Sequence, residues 1–91
     1  MNRPNAMEAL EIEMRSERVS ALRRIAAALQ VALEELKAYE PSQGPEKRLE
    51  LRKKAARQLW YLVVQREAMG IRRHEDVYTI YDVPKDLQPN P

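Results

Sequence analysis

Between Ala6 and Glu40 the chain has neither proline nor glycine, and the next five residues, "PSQGP", hold two prolines and one of its two glycines. Proline removes a backbone donor and glycine adds chain entropy, so a cluster of both interrupts regular structure that a long stretch without either can sustain. In the uninterrupted stretch Leu22, Ile25, Leu29, Ala32, Leu36 and Tyr39 recur at alternating three- and four-residue steps. That is the period of an amphipathic helix facing a partner, and not of a strand. Asn5, with Glu8 three residues on, reads as a capping box opening this helix, which is expected over about residues 6–40.

The breaker then starts a second helix over about 45–69, with Pro45 suited to its first turn. Gly70 is placed to end it in a left-handed conformation, with Ile71 folding back as the apolar partner of the cap. A short third helix is expected at about 74–82, with Glu75 and Asp76 in its first turn. Val83-Pro84 breaks it, residues 85–88 add one more turn, and 88–91 form a frayed tail. The fold class is therefore all-α: one helical domain over 1–91, an antiparallel hairpin of two long helices plus a short C-terminal helix.

Composition narrows the function classes. Charged residues make up 33% of the chain, yet the formal net charge is only +2 because both signs are interspersed, so no nucleic-acid partner is demanded. With no cysteine there is no disulfide and no thiolate metal site, which fits a reducing compartment. No apolar run approaches the ~20 residues that span a bilayer. The N-terminus turns acidic where a signal peptide would be apolar. These features lead to the expectation of a cytoplasmic protein without membrane contact.

The short connection sets the two long helices antiparallel. Pairing outward from Gln43 brings Trp60 near Ala26 and Ala27 and Met69 near Glu17, so the first helix overshoots at residues 6–16. Either the segment 71–87 or a second chain has to cover that end. The second helix carries a wide apolar arc: Leu49, Leu51, Ala55, Ala56, Leu59, Trp60, Leu62, Val63 and Val64. One partner helix cannot cover it, and large exposed apolar areas mark interfaces. A homodimer forming a four-helix bundle is the expected solution, with Leu22, Ile25, Leu29, Leu36, Leu59, Trp60, Leu62 and Val63 as core and dimer surface.

Some charges break the amphipathic pattern. Glu11, Arg15 and Arg18 share the arc of Leu22, Ile25 and Leu29, while Arg66 and Glu67 continue the apolar arc of the second helix. Antiparallel pairing is expected to gather these five at one end of the hairpin, with His74, Glu75 and Asp76 close by. Charges on a core face need partners, because an unpaired buried ion costs several kcal/mol. One reading is an ion-pair network fixing register; the other is an anion or carboxylate pocket in which three arginines outnumber their acids.

Little else bears chemistry. His74 stands alone, the three serines lie in no nucleophile motif, and the glycines form no phosphate-cradling loop. Neither an enzyme nor a cofactor or metal is expected. The basic run of the second helix offers Lys47, Arg48, Arg52, Lys53, Lys54 and Arg57 as possible nucleic-acid contacts. On a helical wheel that run splits between a polar face shared with Glu50 and the flank of the apolar arc, as solvated, snorkelling side chains do. A helix-turn-helix around Val83-Pro84 fails because Pro89 leaves too short a recognition helix.

Taken in order, "LEIEMRSERVSALRRIAAALQVALEEL", "LWYLVVQREAMGIRRHEDV" and "YDVPKDL" resemble a family of small uncharacterised bacterial all-helical proteins, a domain of unknown function. The resemblance covers residues 10–87 and rests most on Trp60, Gln65-Arg66-Glu67 and Gly70, with the Tyr81-x-x-Pro84 step following; Met69 stands where a smaller residue is expected. It implies the all-helical fold and carries no activity or ligand. The expectation is thus a homo-oligomeric protein-interaction or scaffold module without catalysis, its protein partner unspecified. The alternatives are a nucleic-acid-associated protein using the basic second helix, or an anion or small-ligand binder at the Arg66/His74 end.

Overall fold

The structure is a computed structural model that describes residues 5–88; the expected tail at 89–91 lies outside the described residues. Three helices follow in order, α1 (Ala6–Lys37), α2 (Pro45–Ala68) and α3 (Glu75–Ile80), with 3-10 turns at Pro41–Gln43 and Lys85–Leu87. No strand occurs among the described residues. The two long helices pack against each other as an antiparallel hairpin, and the C-terminal segment lies along it.

Helix ends follow from local chemistry. Asn5 Oδ1 accepts the Glu8 N–H at 2.8 Å, and its amide meets the Glu8 carboxylate at 3.4 Å. α1 stops at Lys37, not Glu40, because Glu40 precedes Pro41 and is held extended at φ −117°, ψ 141°. The Glu40 N–H is taken by Gln43 Oε1 at 3.0 Å, and the Tyr39 hydroxyl donates to the Gly44 carbonyl at 2.8 Å. At the far end of α2, Gly70 has φ 86°, the Ile71 N–H reaches Arg66 O at 3.0 Å and the Gly70 N–H reaches Glu67 O at 2.9 Å. This is the Schellman closure that glycine adopts without a Cβ penalty. A second one ends α3: the Val83 N–H bonds Tyr78 O at 2.9 Å, with Asp82 at φ 51° in the left-handed position.

The core joins Leu29, Ala32 and Leu33 of α1, Ala55, Leu59 and Leu62 of α2, and Val77 and Val83 of the C-terminal segment. Leu22, Ile25, Leu36 and Val63 pack against it half-buried. Residues 71–87 do not turn back over the start of α1. Val77 and Val83 seat on the hairpin itself, and Lys37–Asp82 (2.9 Å) and Arg52–Asp86 ion pairs tie the segment to both long helices toward the turn end.

Two consequences matter for function. The molecule is drawn out to 62 × 26 × 18 Å, and every residue from 10 to 20 of α1 is exposed, Leu10, Ile12, Met14 and Val19 among them. Trp60 is 61% exposed and does not enter the space beside Ala26 and Ala27. Ala55, Leu59, Leu62 and Arg66, at steps of four, three and four, form the side of α2 that meets α1, which turns Trp60 about 100° away from it. The indole instead leans on Tyr61, with ring centroids 5.6 Å apart, and lines a shallow groove with Ala56, Leu59, Val63 and Leu87.

Candidate functional site: the Arg66–His74 cluster

Arg66 lies in the last turn of α2, on the side that meets α1, where an apolar residue would continue the seam of Leu59 and Leu62. Its side chain is only 16% exposed, and both its Nε and its Nη2 are engaged. Nε–H donates to His74 Nδ1 at 3.2 Å, while Nη2 donates to the Arg73 carbonyl at 3.0 Å and to the Asp76 carboxylate at 3.1 and 3.3 Å. The Gly70 turn makes this possible, because it reverses the chain within a few residues and returns His74 beside the helix it has just left.

His74 is buried at 8% exposure, and its Nε2 lies 3.2 Å from Glu67 Oε1. Arginine can only donate, so Nδ1 is the acceptor and the imidazole proton sits on Nε2, directed at Glu67. Both ring nitrogens thereby have a partner. No buried side-chain nitrogen or oxygen among the described residues lacks a partner. Tyr78, on α3, has its hydroxyl pKa pushed above the ordinary value of 10.0, by burial first and then by the negative charges of Glu75 and Glu67.

Of the six residues in which the sequence placed a register network or pocket, the structure brings Arg66, Glu67 and His74 together and adds Asp76. Glu11, Arg15 and Arg18 stand apart. Arg66 shares a groove with Leu22, Arg23, Ala26, Leu62, Val77 and Tyr81, so its level on α1 is Leu22–Ala26. Arg18, Arg15 and Glu11 then project roughly one, two and three turns beyond it. There, among the described residues, Arg15 and Glu11 pair only with each other, at 3.9 Å with both side chains largely exposed. Without Arg15 and Arg18, one arginine faces Glu67 and Asp76, and the local balance does not favour an anion.

The basic residues of α2 are dispersed in the same way. Lys47 pairs with Glu50 at 3.6 Å, Arg52 with Asp86, and Lys54 with Glu35 at 2.9 Å. Arg48, Lys53 and Arg57 have no ion pair among the described residues; at about 100° per residue Lys53 and Arg57 share one side of the helix while Arg48 lies on the opposite one. Among the described residues no three His or acidic side chains converge as a metal-binding group.

The sequence put Asp76 close to the cluster without marking it as a partner of Arg66, and it gave no sign of the Tyr39–Gly44 bond. An acid in a first helical turn is ordinarily explained by the helix dipole, which hides its second partner.

A family model described as "Family of unknown function (DUF6665)" matches residues 1–89, and the chain belongs to that family. No curated protein and no solved structure matches it.

Proposed function

We propose that this member of a family of unknown function is a non-catalytic protein-interaction module that works as an assembly of copies of itself in the cytoplasm. One observation carries the reading: α1 runs past the end of α2 with Met7, Leu10 and Met14 uncovered, at 68%, 51% and 44% exposure. The one segment of the described chain long enough to cover them, residues 71–87, folds the other way. A second apolar area, Leu49, Trp60 and Val64 on the outer side of α2, is exposed as well. Apolar surface on this scale, on a slender two-helix core, marks an interface. The Arg66–His74 cluster fits a structural role in such a module, since its bonds tie His74 and Asp76, where α3 begins, to the last turn of α2. No described helix is long and apolar enough to cross a membrane.

Light-scattering mass at micromolar to millimolar chain concentration tests the assembly. A dimer or larger species is expected, and a monomer throughout that range overturns the proposal. Pull-down with the assembled protein then reads out the partner. A gel-shift series with duplex and single-stranded nucleic acid is expected to show no complex at low salt, where phosphate contacts are strongest; a salt-sensitive complex would favour the basic face of α2 instead.

A further inference from the structure

We propose that two copies join through the overhanging part of α1, residues 6–18, lying antiparallel, so that each copy's overhang fills the space beyond the end of the other's α2. This rests on the reading that the chain self-associates, and it says where and in which direction.

The seam of α1 does not stop where α2 stops. Leu22, Ile25, Leu29, Ala32 and Leu36 are continued toward the N-terminus by Met7, Glu11, Met14 and Arg18, still at three- and four-residue steps. The helix thus carries one stripe along its whole length, of which α2 covers only the part beyond about residue 18. A helix placed against the remainder would extend the line of α2. A partner's α1, run antiparallel, has the chain direction of α2 and a stripe of the same period.

Charge selects this occupant. The first turns of the overhang carry Glu8, Glu11 and Glu13 with no base, and the following turns carry Arg15 and Arg18 against the single acid Glu17. A parallel pair would set acids on acids. An antiparallel pair with its two-fold axis between residues 12 and 13 sets Glu11 of each copy across from Met14 and beside Arg15 and Arg18 of the other. In the same register Met7 is set across from Arg18, whose aliphatic stem is apolar while its head reaches water. The surface is self-complementary under a two-fold axis, as an isologous interface has to be. This also accounts for Glu11, Arg15 and Arg18 lying on a seam face with only a distant, solvent-exposed pair between them: their partners are on the second copy.

About three helical turns, roughly 18 Å, are involved on each side. A contact that short belongs with the smaller specific interfaces. Its exposed charges contribute orientation more than strength, and that contribution weakens with salt.

Charge-reversal variants at these exposed positions test the idea. Glu11→Arg and Arg18→Glu, examined singly by sedimentation equilibrium, are each expected to weaken dimerisation at least about tenfold, since each creates like-charge contacts twice over. Glu11→Arg/Arg18→Glu in one chain is expected to restore the dimer, because antiparallel pairing then sets the introduced base of each copy beside the introduced acid of the other. Circular dichroism checks that all three remain helical. A wild-type dimer that neither single variant weakens, or that the double variant fails to restore, overturns the antiparallel overhang while the assembly reading stands. If Trp60→Glu alone abolishes that dimer, the interface is the outer side of α2. A wild-type chain that is monomeric throughout overturns the assembly reading itself.

Discussion

Arg66 Nε lies 3.2 Å from His74 Nδ1, and the other ring nitrogen lies 3.2 Å from Glu67 Oε1. Residues eight apart in sequence thus close a polar knot over the end of α2 that holds α3 in place. Three features of the chain have to coincide for this: an arginine on the seam, a glycine that reverses the backbone, and a histidine in the tautomer the arginine requires. The knot forms where the apolar seam ends, so its members exchange hydration for bonds to each other.

Replacing Arg66 by alanine removes donors to three acceptors and leaves a buried imidazole nitrogen unpaired. Hydrogen bonds to charged groups contribute about 1.5–3 kcal/mol each, and part of that is recovered by water at the exposed Asp76. A net loss of about 2 kcal/mol is expected, or a fall in Tm of roughly 8–16 °C for a domain of this size. Arg66→Lys should recover only part of it, since an ammonium lacks the planar fork that meets His74, Asp76 and a carbonyl together. Thermal scans of both variants check this. An anion that raises the Tm of wild type but not of Arg66→Ala would show instead that the cluster is a binding pocket.

Gly70→Ala isolates the turn from the side chains it positions. A Cβ at Gly70 would meet nothing within 4 Å, so the cost comes from the backbone at φ 86° alone. A left-handed alanine costs about 1–2 kcal/mol, and a stability loss of that size in urea titration is expected, with an unchanged m-value. A far larger loss would mean that the turn had opened and released His74.

The helices, their antiparallel order and the Gly70 stop were legible because each depends on local rules: periodicity, a breaker, a cap. Trp60 was not, since periodicity shows that α2 has a wide apolar arc but not which edge of it the single neighbour takes. Ala55, Leu59 and Leu62 took the seam, and the indole was left on the outside. The polar cluster was half legible. Arg66, Glu67 and His74 are close in sequence and one turn brings them together. Adding Glu11, Arg15 and Arg18 required knowing the level at which the helices stop facing each other, a tertiary quantity that a few residues of offset change completely. Asp82, left-handed at φ 51° without being glycine, carries no sequence signal beyond the tolerance of aspartate for that region.

The raised Tyr78 pKa gives stability a defined slope at high pH. Folding holds the phenol neutral above the value of 10.0 that it has when unfolded. The contribution is therefore complete below pH 10.0 and is lost as pH rises through the higher folded value. Tyr78→Phe removes that slope. The difference between wild type and variant in urea midpoint should stay constant below pH 10.0 and shift, in the direction of wild-type loss, above it. A difference spectrum of tyrosinate absorbance should show one tyrosine titrating late. A Tyr78 that ionises at or below 10.0 contradicts the burial and the Glu75 and Glu67 charges that surround it.

Trp60 and Leu29 test the assignment of core and surface most directly, because a large aromatic and a leucine would ordinarily rank the other way. Leu29 has no exposed surface, while Trp60 keeps 61% of its own. Leu29→Ala leaves a cavity between the long helices and α3, at a cost of about 2–5 kcal/mol, enough to unfold much of a small domain. Trp60→Ala removes contacts only with Tyr61 and the shallow groove toward Leu87, and in the dilute monomer it should change stability by no more than about 0.5 kcal/mol. The two effects diverge with concentration if Trp60 also meets a second copy. Tm then rises with chain concentration in wild type, by mass action on the assembled form, and the Trp60→Ala curve separates from it only at the concentrated end. A Trp60→Ala chain that is already several kcal/mol less stable when dilute would put the indole inside the hairpin and reverse the placement of α2's two faces.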